Sequence, residues 1–302
     1  MKKVPTGYTG VAAWKFEFSQ EEKDFIYDQY YNHHKGIETI AKNFPECSSS
    51  TIYSLFHQMG WECRNNRDQA LKNTCNEHYF DVIDNEHKAY WVGFFYADGY
   101  IRVGSEKNKQ NRGIGFSVNI KDKELLEKFK KDIEFTGDIK YYTSTTNYGA
   151  TSYGRIIISS PQLADALIDK GCFIQKTTVL QFPTSEQIPE YLLWDFIRGY
   201  IDGDGSYTDN RISICGTKEL LDGLQNFIGS PNKLSQKRKI AERGINNYVC
   251  YIYKKTLLQN CLEKMYCNAT IYLNRKKEKA KHIYIERKMK YDEQLCAFTC
   301  PF

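Results

Sequence analysis

The sequence predicts an α+β fold in which a unit of one helix and an antiparallel sheet occurs twice, after a small helical domain. Two nine-residue segments, Trp91–Gly99 and Ile197–Gly205, share small residues at matching places and end in Asp-Gly. Each is followed by runs of alternating apolar and polar residues, typical of half-buried strands, and by amphipathic helices. Residues 18–60 instead carry three short helical patterns. A helix-and-sheet unit used twice indicates two pseudo-symmetric repeats of the αββαββα type.

Composition favours a folded protein without a membrane segment. Hydrophobic residues make up 41% and charged residues 26% of the 302 residues, a balance typical of globular proteins. No apolar run approaches the ~20 residues that span a bilayer. The first ten residues carry two lysines but no apolar stretch of a signal peptide. We therefore expect a protein of the cytoplasm.

Cysteine spacing favours reduced thiols over a disulfide framework. The ten cysteines are irregularly spaced and form no Cys-x-x-Cys pair, and a chain of this length needs no disulfides to fold. Cys296 and Cys300 are close enough in sequence to share a metal, an alternative that stays open.

Positive charge is concentrated late in the chain. Residues 231–290 contain sixteen lysines and arginines against four glutamates. Such a block is typical of a surface that faces a polyanion, although a solvated basic face without a partner is the plainer interpretation.

The first domain, residues 1–62, is predicted to be a small all-α helix-turn-helix unit. Ser19 is a good N-cap for a first helix, because acidic residues follow it in the first turn. A second short helix runs from Ile37 to Phe44 and ends at Pro45. Serines 48–50 offer caps for a third helix, which Gly60 closes.

The third helix is the candidate recognition helix. Helix, short turn and helix is the pattern of a helix-turn-helix, although a small helical bundle of another purpose has the same pattern. Its exposed face would present side chains suited to base edges and phosphates: Ser50, Thr51, Tyr53, Ser54, His57 and Gln58. Residues 63–78 are predicted to be a basic linker, in which Arg64 and Arg67 would contact a phosphate backbone.

The first repeat is assigned to residues 79–188 and the second to residues 189–302. In the first we expect a helix, a strand, a helix, two strands and a helix: Glu86–Ala97, Gly115–Ile120, Lys123–Ile133, 139–143, 155–159 and Pro161–Lys170. In the second we expect a helix, a hairpin, a helix, two strands and a helix: Pro189–Gly203, Tyr207–Cys215, Lys218–Ile228, Lys233–Ile240, Asn247–Lys254 and Thr256–Tyr266.

The first helix of each repeat carries two small residues four positions apart. These are Gly93 and Ala97 in the first repeat and Gly199 and Gly203 in the second. Residues at this spacing share a helix face, and small ones let two helix backbones approach closely. We therefore expect these four residues to form the interface between the two helices.

Asp98 and Asp204 lie at the C-terminal ends of the two helices, 106 positions apart. A helix C-terminus carries about −0.5 of an elementary charge, so a carboxylate there is disfavoured by about 0.3–1 kcal/mol. A divalent cation would relieve the repulsion between two such sites, since Mg²⁺ is held by one or two carboxylates together with phosphate oxygens. The plainer interpretation, a turn-forming aspartate, does not account for two matching copies.

These nonapeptides resemble the two LAGLIDADG motifs of the single-chain homing endonucleases. The metal-binding acid of that pattern is the eighth residue, which falls on Asp98 and Asp204. The sixth position matches as Asp202 in the second copy but is Tyr96 in the first. The resemblance covers about residues 79–290 and includes the stretch Gly171-Cys-Phe-Ile-Gln-Lys-Thr-Thr.

The resemblance implies a site-specific endonuclease that cuts double-stranded DNA. The motif helices would form the interface, and two sheets would make a saddle over a long asymmetric DNA site. Asp98 and Asp204, with the carbonyls of Ala97 and Gly203, would hold Mg²⁺ or Mn²⁺, and short 3′ overhangs would result. Lys176 and Lys276 fall where the family has supporting basic residues, with Arg275 and Lys277 as rivals for the second place.

One chain with both repeats is expected to act as a monomer associated with the nucleoid of a bacterial or phage-infected cell. Outward residues of the saddle strands would contact the major groove, and the lysines among them would mainly contact the backbone. The candidates are Arg102, Ser117, Asn119, Arg155, Arg211, Ser213, Lys237, Arg238 and Lys239.

Two other functions stay open at this stage. A DNA-binding regulator on the same scaffold would bind without cleaving, and an RNA maturase would prefer structured RNA to DNA. An intein is not expected, because no splicing block precedes the first domain and the chain ends in Pro-Phe.

Overall fold

The computed structural model describes residues 2–5, 14–33, 35–63, 73–103, 112–146, 149–174, 178–208, 210–236, 240 and 242–289. The chain forms two compact units, Met1–Thr74 and Cys75–Phe302. The boundary between them lies inside the segment that the sequence assigns to the linker.

The described part of the first unit, called the head here, contains three α-helices and a two-stranded antiparallel sheet. The helices are α1 (Gln20–Tyr27), α2 (Ile37–Ala41) and α3 (Ser49–Met59), and a π-helical turn, Asp28–Asn32, continues α1. The sheet pairs β1 (Lys2–Pro5) with β2 (Trp14–Glu17). The prediction of an all-α head was therefore wrong. The alternation of Trp14-Lys-Phe-Glu17, a period of two rich in strand formers, is the signal for β2 that the helical patterns overshadowed.

The head helices begin and end where local chemistry dictates. The Ser19 hydroxyl accepts from the Glu22 N–H, and the Glu22 carboxylate accepts from the Ser19 N–H, which makes a complete capping box. Gly60 ends α3 with a φ of 67°, in the left-handed region. A separate hydrophobic core, with Ile26, Tyr30, Ile40, Ile52 and Phe56 at its centre, holds the helices together.

The first repeat has the predicted αββαββα order. Its helices are α4 (Glu86–Ala97), α5 (Lys123–Asp132) and α6 (Pro161–Asp169). Its strands are β3 (Tyr100–Arg102), β4 (Gly113–Asn119), β5 (Lys140–Thr146) and β6 (Gly149–Ile158), in the antiparallel order β3-β4-β6-β5. Ile114, Phe116 and Val118 of β4 are buried on one face, together with Ile156 and Ile158 of β6.

The second repeat follows this order with one strand fewer and one helix more among its described residues. Its helices are α7 (Leu193–Asp204), α8 (Lys218–Ile228), α9 (Lys255–Tyr266) and α10 (Asn274–Met289). Its strands are β7 (Gly205–Thr208), β8 (Arg211–Gly216) and β9 (Tyr248–Ile252), in the order β7-β8-β9. Ile212, Ile214, Cys250 and Ile252 face the core.

The strand predicted over Lys233–Ile240 is not formed in the described part of that segment. Only Ser235 makes a bridge there, to Val249. Two main-chain carbonyls near this bridge accept hydrogen bonds from side-chain amides. Gln225 Nε2 donates to the Asn232 carbonyl at 2.7 Å, and Asn232 Nδ2 donates to the Tyr251 carbonyl at 2.8 Å. These bonds compete with the main-chain hydrogen bonds that a regular strand beside β9 would make at Asn232 and Tyr251.

One continuous core joins both repeats, and the paired helices α4 and α7 lie within it. Residues 89–97 of α4 are all buried. None of the described helices is long and apolar enough to cross a membrane.

Candidate active site at the paired helix ends

Helices α4 and α7 are in contact backbone to backbone. A Cβ added at Gly93 would lie 2.0 Å from the Phe196 carbonyl oxygen, and one added at Gly199 would lie 2.0 Å from the Tyr90 carbonyl oxygen. The two contacts are equivalent, since Gly93 corresponds to Gly199 and Tyr90 to Phe196 across the 106-residue offset. The helices are therefore related by a pseudo-twofold axis, with glycine where the approach is closest.

The same contacts make the two helices parallel, so their C-terminal ends lie side by side. A Cβ at Gly203 would lie 2.2 Å from Ala97 Cβ and 3.3 Å from the Asp98 nitrogen. Asp98 and Asp204 follow at these ends, and both are exposed. Two exposed carboxylates thus stand at one end of the helix pair, at the start of the strand that opens each sheet.

Electrostatically this end of the pair is strongly negative. Parallel helices place two partial negative charges together, and neither helix has a basic residue in its last turn. Lys276, in the first turn of α10, supplies a cation from another element. Its ammonium donates to the carbonyls of Ile201, Asp202 and Gly205 at 2.7, 2.6 and 2.8 Å and reaches that of Gly203 at 3.2 Å.

Lys276 is 4% exposed. Burial lowers the pKa of its ammonium to about 8, while Asp202, Asp98 and Asp204 act in the opposite direction. Its nitrogen therefore bonds the main-chain carbonyls at the end of α7 and interacts electrostatically with both exposed carboxylates. The rivals for this position are engaged elsewhere: Arg275 bonds both oxygens of Asp122, and Lys277 lies 3.9 Å from the ring centroid of Tyr272.

Asp202, the sixth residue of the second motif, was not predicted to be part of the site. It is 1% exposed. Its Oδ2 accepts from the Tyr90 hydroxyl at 2.8 Å and from the Leu273 N–H at 2.7 Å. Burial raises the pKa of its carboxyl to about 6, and the neighbouring Lys276 ammonium and the Leu273 N–H limit that rise.

A buried arginine connects both repeats farther along the helices. The Arg198 guanidinium donates to the Glu86 and Asp195 carboxylates at 2.7 and 2.8 Å, and to the carbonyls of Met265 and Ile271 at 2.6 and 2.9 Å. Because this group is 1% exposed and its four hydrogen bonds all go to protein acceptors, we regard it as structural.

The outer face of the first sheet carries the predicted contact residues in register. Ser117 pairs with Arg155, and Arg155 pairs with Lys140 on the next strand. Arg155 Nε donates to Ser117 Oγ at 3.0 Å. Its guanidinium lies 5.5 and 5.6 Å from the ring centroids of Tyr142 and Tyr153, which stack on each other at 5.4 Å.

These tyrosines were missed at the sequence level, although the alternation of Tyr142 with Lys140 along β5 was the available signal. Asn119 is exposed and pairs with Tyr153 on the neighbouring strand. Arg102, on β3, donates to Ser159 Oγ at 2.6 Å.

The second sheet repeats the arrangement more simply. Arg211 is exposed, and its guanidinium lies 4.8 Å from the ring centroid of Tyr251. Ser213 is half-buried opposite Tyr251. Lys237, Arg238 and Lys239 lie outside the described residues, as do Lys176, Arg64, Arg67, Cys296 and Cys300.

In the head, five of the six candidate side chains of α3 are exposed and Thr51 is half-buried. The buried face consists of Ile52, Leu55 and Phe56. The predicted orientation of α3 is therefore observed, whereas a function as a recognition helix stays a prediction.

Hard oxygen donors at the paired helix ends suit Mg²⁺ or Mn²⁺. Asp98 and Asp204 supply two carboxylates, and the described residues contain no group of three or more His, Cys, Asp and Glu that could hold a metal. Two carboxylates fit a cation that completes its ligands with water and phosphate oxygens. The Gly203 carbonyl accepts a hydrogen bond from the Lys276 ammonium at 3.2 Å, so one of the two lone pairs of this carbonyl oxygen is already engaged.

No protein-family model matches the sequence, and no curated protein matches it. Among solved structures, similarity is found to LAGLIDADG proteins bound to DNA. The meganuclease I-AabMI on uncleaved DNA aligns with a TM-score of 0.47 at 14% identity, over 70% of this chain and 94% of that one. The homing endonucleases I-SmaMI, on cleaved DNA, and I-LtrWI, on target DNA, both align at 0.44, with 14% and 12% identity. They cover 70% and 72% of this chain and 93% and 92% of their own.

Proposed function

We propose that this chain is a site-specific endonuclease that hydrolyses both strands of a DNA duplex. The observation that carries the proposal is the pair of exposed carboxylates, Asp98 and Asp204, at adjacent ends of parallel helices. The strands that open the two sheets start from the same place. A duplex lying on the outer faces of the sheets would thus pass over both carboxylates.

In this proposal, Asp98 and Asp204 hold a divalent cation, with the carbonyls of Ala97 and Gly203 as further donors. When bound, the cation would neutralise phosphate charge and lower the pKa of an associated water. Lys276 keeps the end of α7 in place and adds positive charge beside the reacting phosphate. Lys176 is proposed for the same role in the first repeat.

Sequence recognition is assigned to the outer faces of the sheets. Arg155 and Arg211 are held over tyrosine rings, which restricts their rotamers before DNA binds. An arginine oriented in advance can donate two parallel hydrogen bonds to a guanine edge in the major groove. The long site would be asymmetric, because the two faces differ in sequence, and a monomer would suffice to cut both strands.

Digestion of source DNA that lacks the gene, in the presence of Mg²⁺, tests this proposal. We expect one cut site with short 3′ overhangs for the wild type and at least about a 10³-fold loss of rate for Asp98→Asn and for Asp204→Asn. Asp222→Asn, which alters a partly exposed carboxylate paired with Lys218 on α8, serves as the control and is expected to retain most activity. Tight, metal-independent binding to one DNA site without any cut would contradict the nuclease and favour a DNA-binding regulator. Higher affinity for structured RNA than for DNA would favour a maturase.

A further inference from the structure

The residue at the sixth position of the second motif, Asp202, contacts the segment that leads to Lys276. In the second repeat, the Asp202 carboxylate accepts from the Leu273 N–H at 2.7 Å. The Leu273 carbonyl in turn accepts from the N–H groups of Lys276 and Lys277 at 2.9 and 3.0 Å. Asp202 therefore fixes the first turn of α10, from which Lys276 extends.

The same aspartate also meets Lys276 directly through its main chain. The Lys276 ammonium donates to the Asp202 carbonyl at 2.6 Å, its shortest bond. The Asp202 side chain thus holds Leu273, at the start of the turn that carries Lys276, and the Asp202 carbonyl accepts from the Lys276 ammonium. Asp202 therefore acts on both the backbone and the side-chain end of the lysine. The carboxylate is 1% exposed and interacts electrostatically with the ammonium of a lysine that is 4% exposed, and this attraction favours the charged form of the buried lysine.

We propose that Asp202 is a positioning residue, which orients Lys276 and so controls cleavage of one DNA strand. The inference rests on the proposed nuclease function. A residue that merely stabilised the fold would affect both strands equally.

Single-turnover cleavage of a duplex with a different label on each strand tests the proposal. We expect Asp202→Asn to slow one strand about tenfold or more and the other less than about twofold, because its uncharged amide no longer compensates the Lys276 ammonium. Tyr90→Phe removes the other bond to Asp202 and leaves Leu273 held, so it is the matched control and should alter neither rate more than about twofold. DNA affinity, measured with Ca²⁺ in place of Mg²⁺, should be unchanged in both variants. Equal slowing of both strands by Asp202→Asn, or no slowing, would overturn the proposal.

A second measurement does not depend on cleavage. Acylation of lysines by a water-soluble active ester, followed by peptide mass spectrometry, reports how well Lys276 is held. Relative to the exposed Lys279 on the same helix, Lys276 should be modified at least about tenfold faster in folded Asp202→Asn than in the wild type. If the wild type cuts no DNA but this increase is found, the nuclease proposal fails and the positioning role stands. An unchanged labelling ratio would overturn the positioning role itself.

Discussion

The imidazole of His87 joins the start of α4 to two other elements. Its Nδ1 lies 2.7 Å from Asp132 Oδ2, at the end of α5, and its Nε2 lies 2.9 Å from Thr270 Oγ1, before α10. The hydrogen bond to Asp132 raises the pKa of His87, with Glu86 adding to the effect and burial and Arg198 opposing it. Protonated His87 therefore contributes stability that is complete below the ordinary histidine pKa of about 6.5 and is lost as pH rises through the raised value.

We accordingly expect the difference in Tm between wild type and His87→Asn to be larger at pH 6 than at pH 9. The change in that difference should not exceed about 2–4 °C, the effect of 1 kcal/mol in a domain of this size, which is an upper value for a partly exposed pair. Thermal unfolding followed by circular dichroism at both pH values measures it. A Tm difference that is larger at pH 9 than at pH 6 would contradict the prediction and would show that the folded protein holds the His87 ring neutral.

For some single residues the sequence predicted the position in the site, and for others it did not. Asp98 and Asp204 were predictable, because each ends a helix and the two lie at matching positions of a repeat. Asp202 and Arg198 were not, since a charged residue within an apolar helix gives no sign of its partners. Those partners, Leu273 and Glu86, are 71 and 112 positions away, and only the packing of α7 against other elements brings them together.

At the scale of elements, the contact between α4 and α7 allows no side chain at its closest points. Alanine in place of Gly199 would put a methyl group 2.0 Å from the Tyr90 carbonyl oxygen. In an exposed helix the same change stabilises by about 1 kcal/mol. Here we expect Gly199→Ala to destabilise by about 1–3 kcal/mol, as other overpacked sites do, and to reduce cleavage because the carboxylates are moved apart.

Urea unfolding and single-turnover cleavage of Gly199→Ala measure these two effects. Gly36→Ala, where no atom lies within 4 Å of the new methyl group, is the control and should change neither quantity appreciably. A stabilised Gly199→Ala variant would show that the two helices are not in backbone contact.

Elements with a strong period were predicted closely, and those shaped by tertiary contacts were not. The patterns of α4 and α8 matched the structure residue for residue. In contrast, α10 was described only as a basic segment, because lysines and arginines surround its few apolar residues. Its buried positions, Ala280, Ile283 and Tyr284, have helical spacing, which was the available signal.

In the whole molecule, the presence of two separate hydrophobic cores limits how far the stability of one unit depends on the other. The core of the head lies within residues 18–56, and that of the repeats starts at Tyr79. The repeat architecture was predictable from the sequence because it occurs twice, so that errors in one copy could be corrected by the other. The head occurs once, so no second copy could reveal the β1–β2 sheet, whose signal the helical patterns overshadowed.

Two separate cores lead us to expect that residues 75–302 fold without the head and cut the same DNA site. If α3 contacts DNA beside that site, removal of residues 1–74 should weaken binding about tenfold or more at 0.15 M salt, reduce its dependence on salt and shorten the footprint at one end only. Footprinting and titration of both proteins on one long duplex measure these changes.

The double variant His57→Ala, Gln58→Ala in the full chain separates loss of contacts from loss of the head. Both side chains are exposed on α3, so the fold should be kept while the affinity falls toward that of residues 75–302. Equal affinities and equal footprints for the full chain and residues 75–302 would contradict a recognition role for α3. The head would then be a small domain with another partner, and the repeats alone would determine where the chain binds.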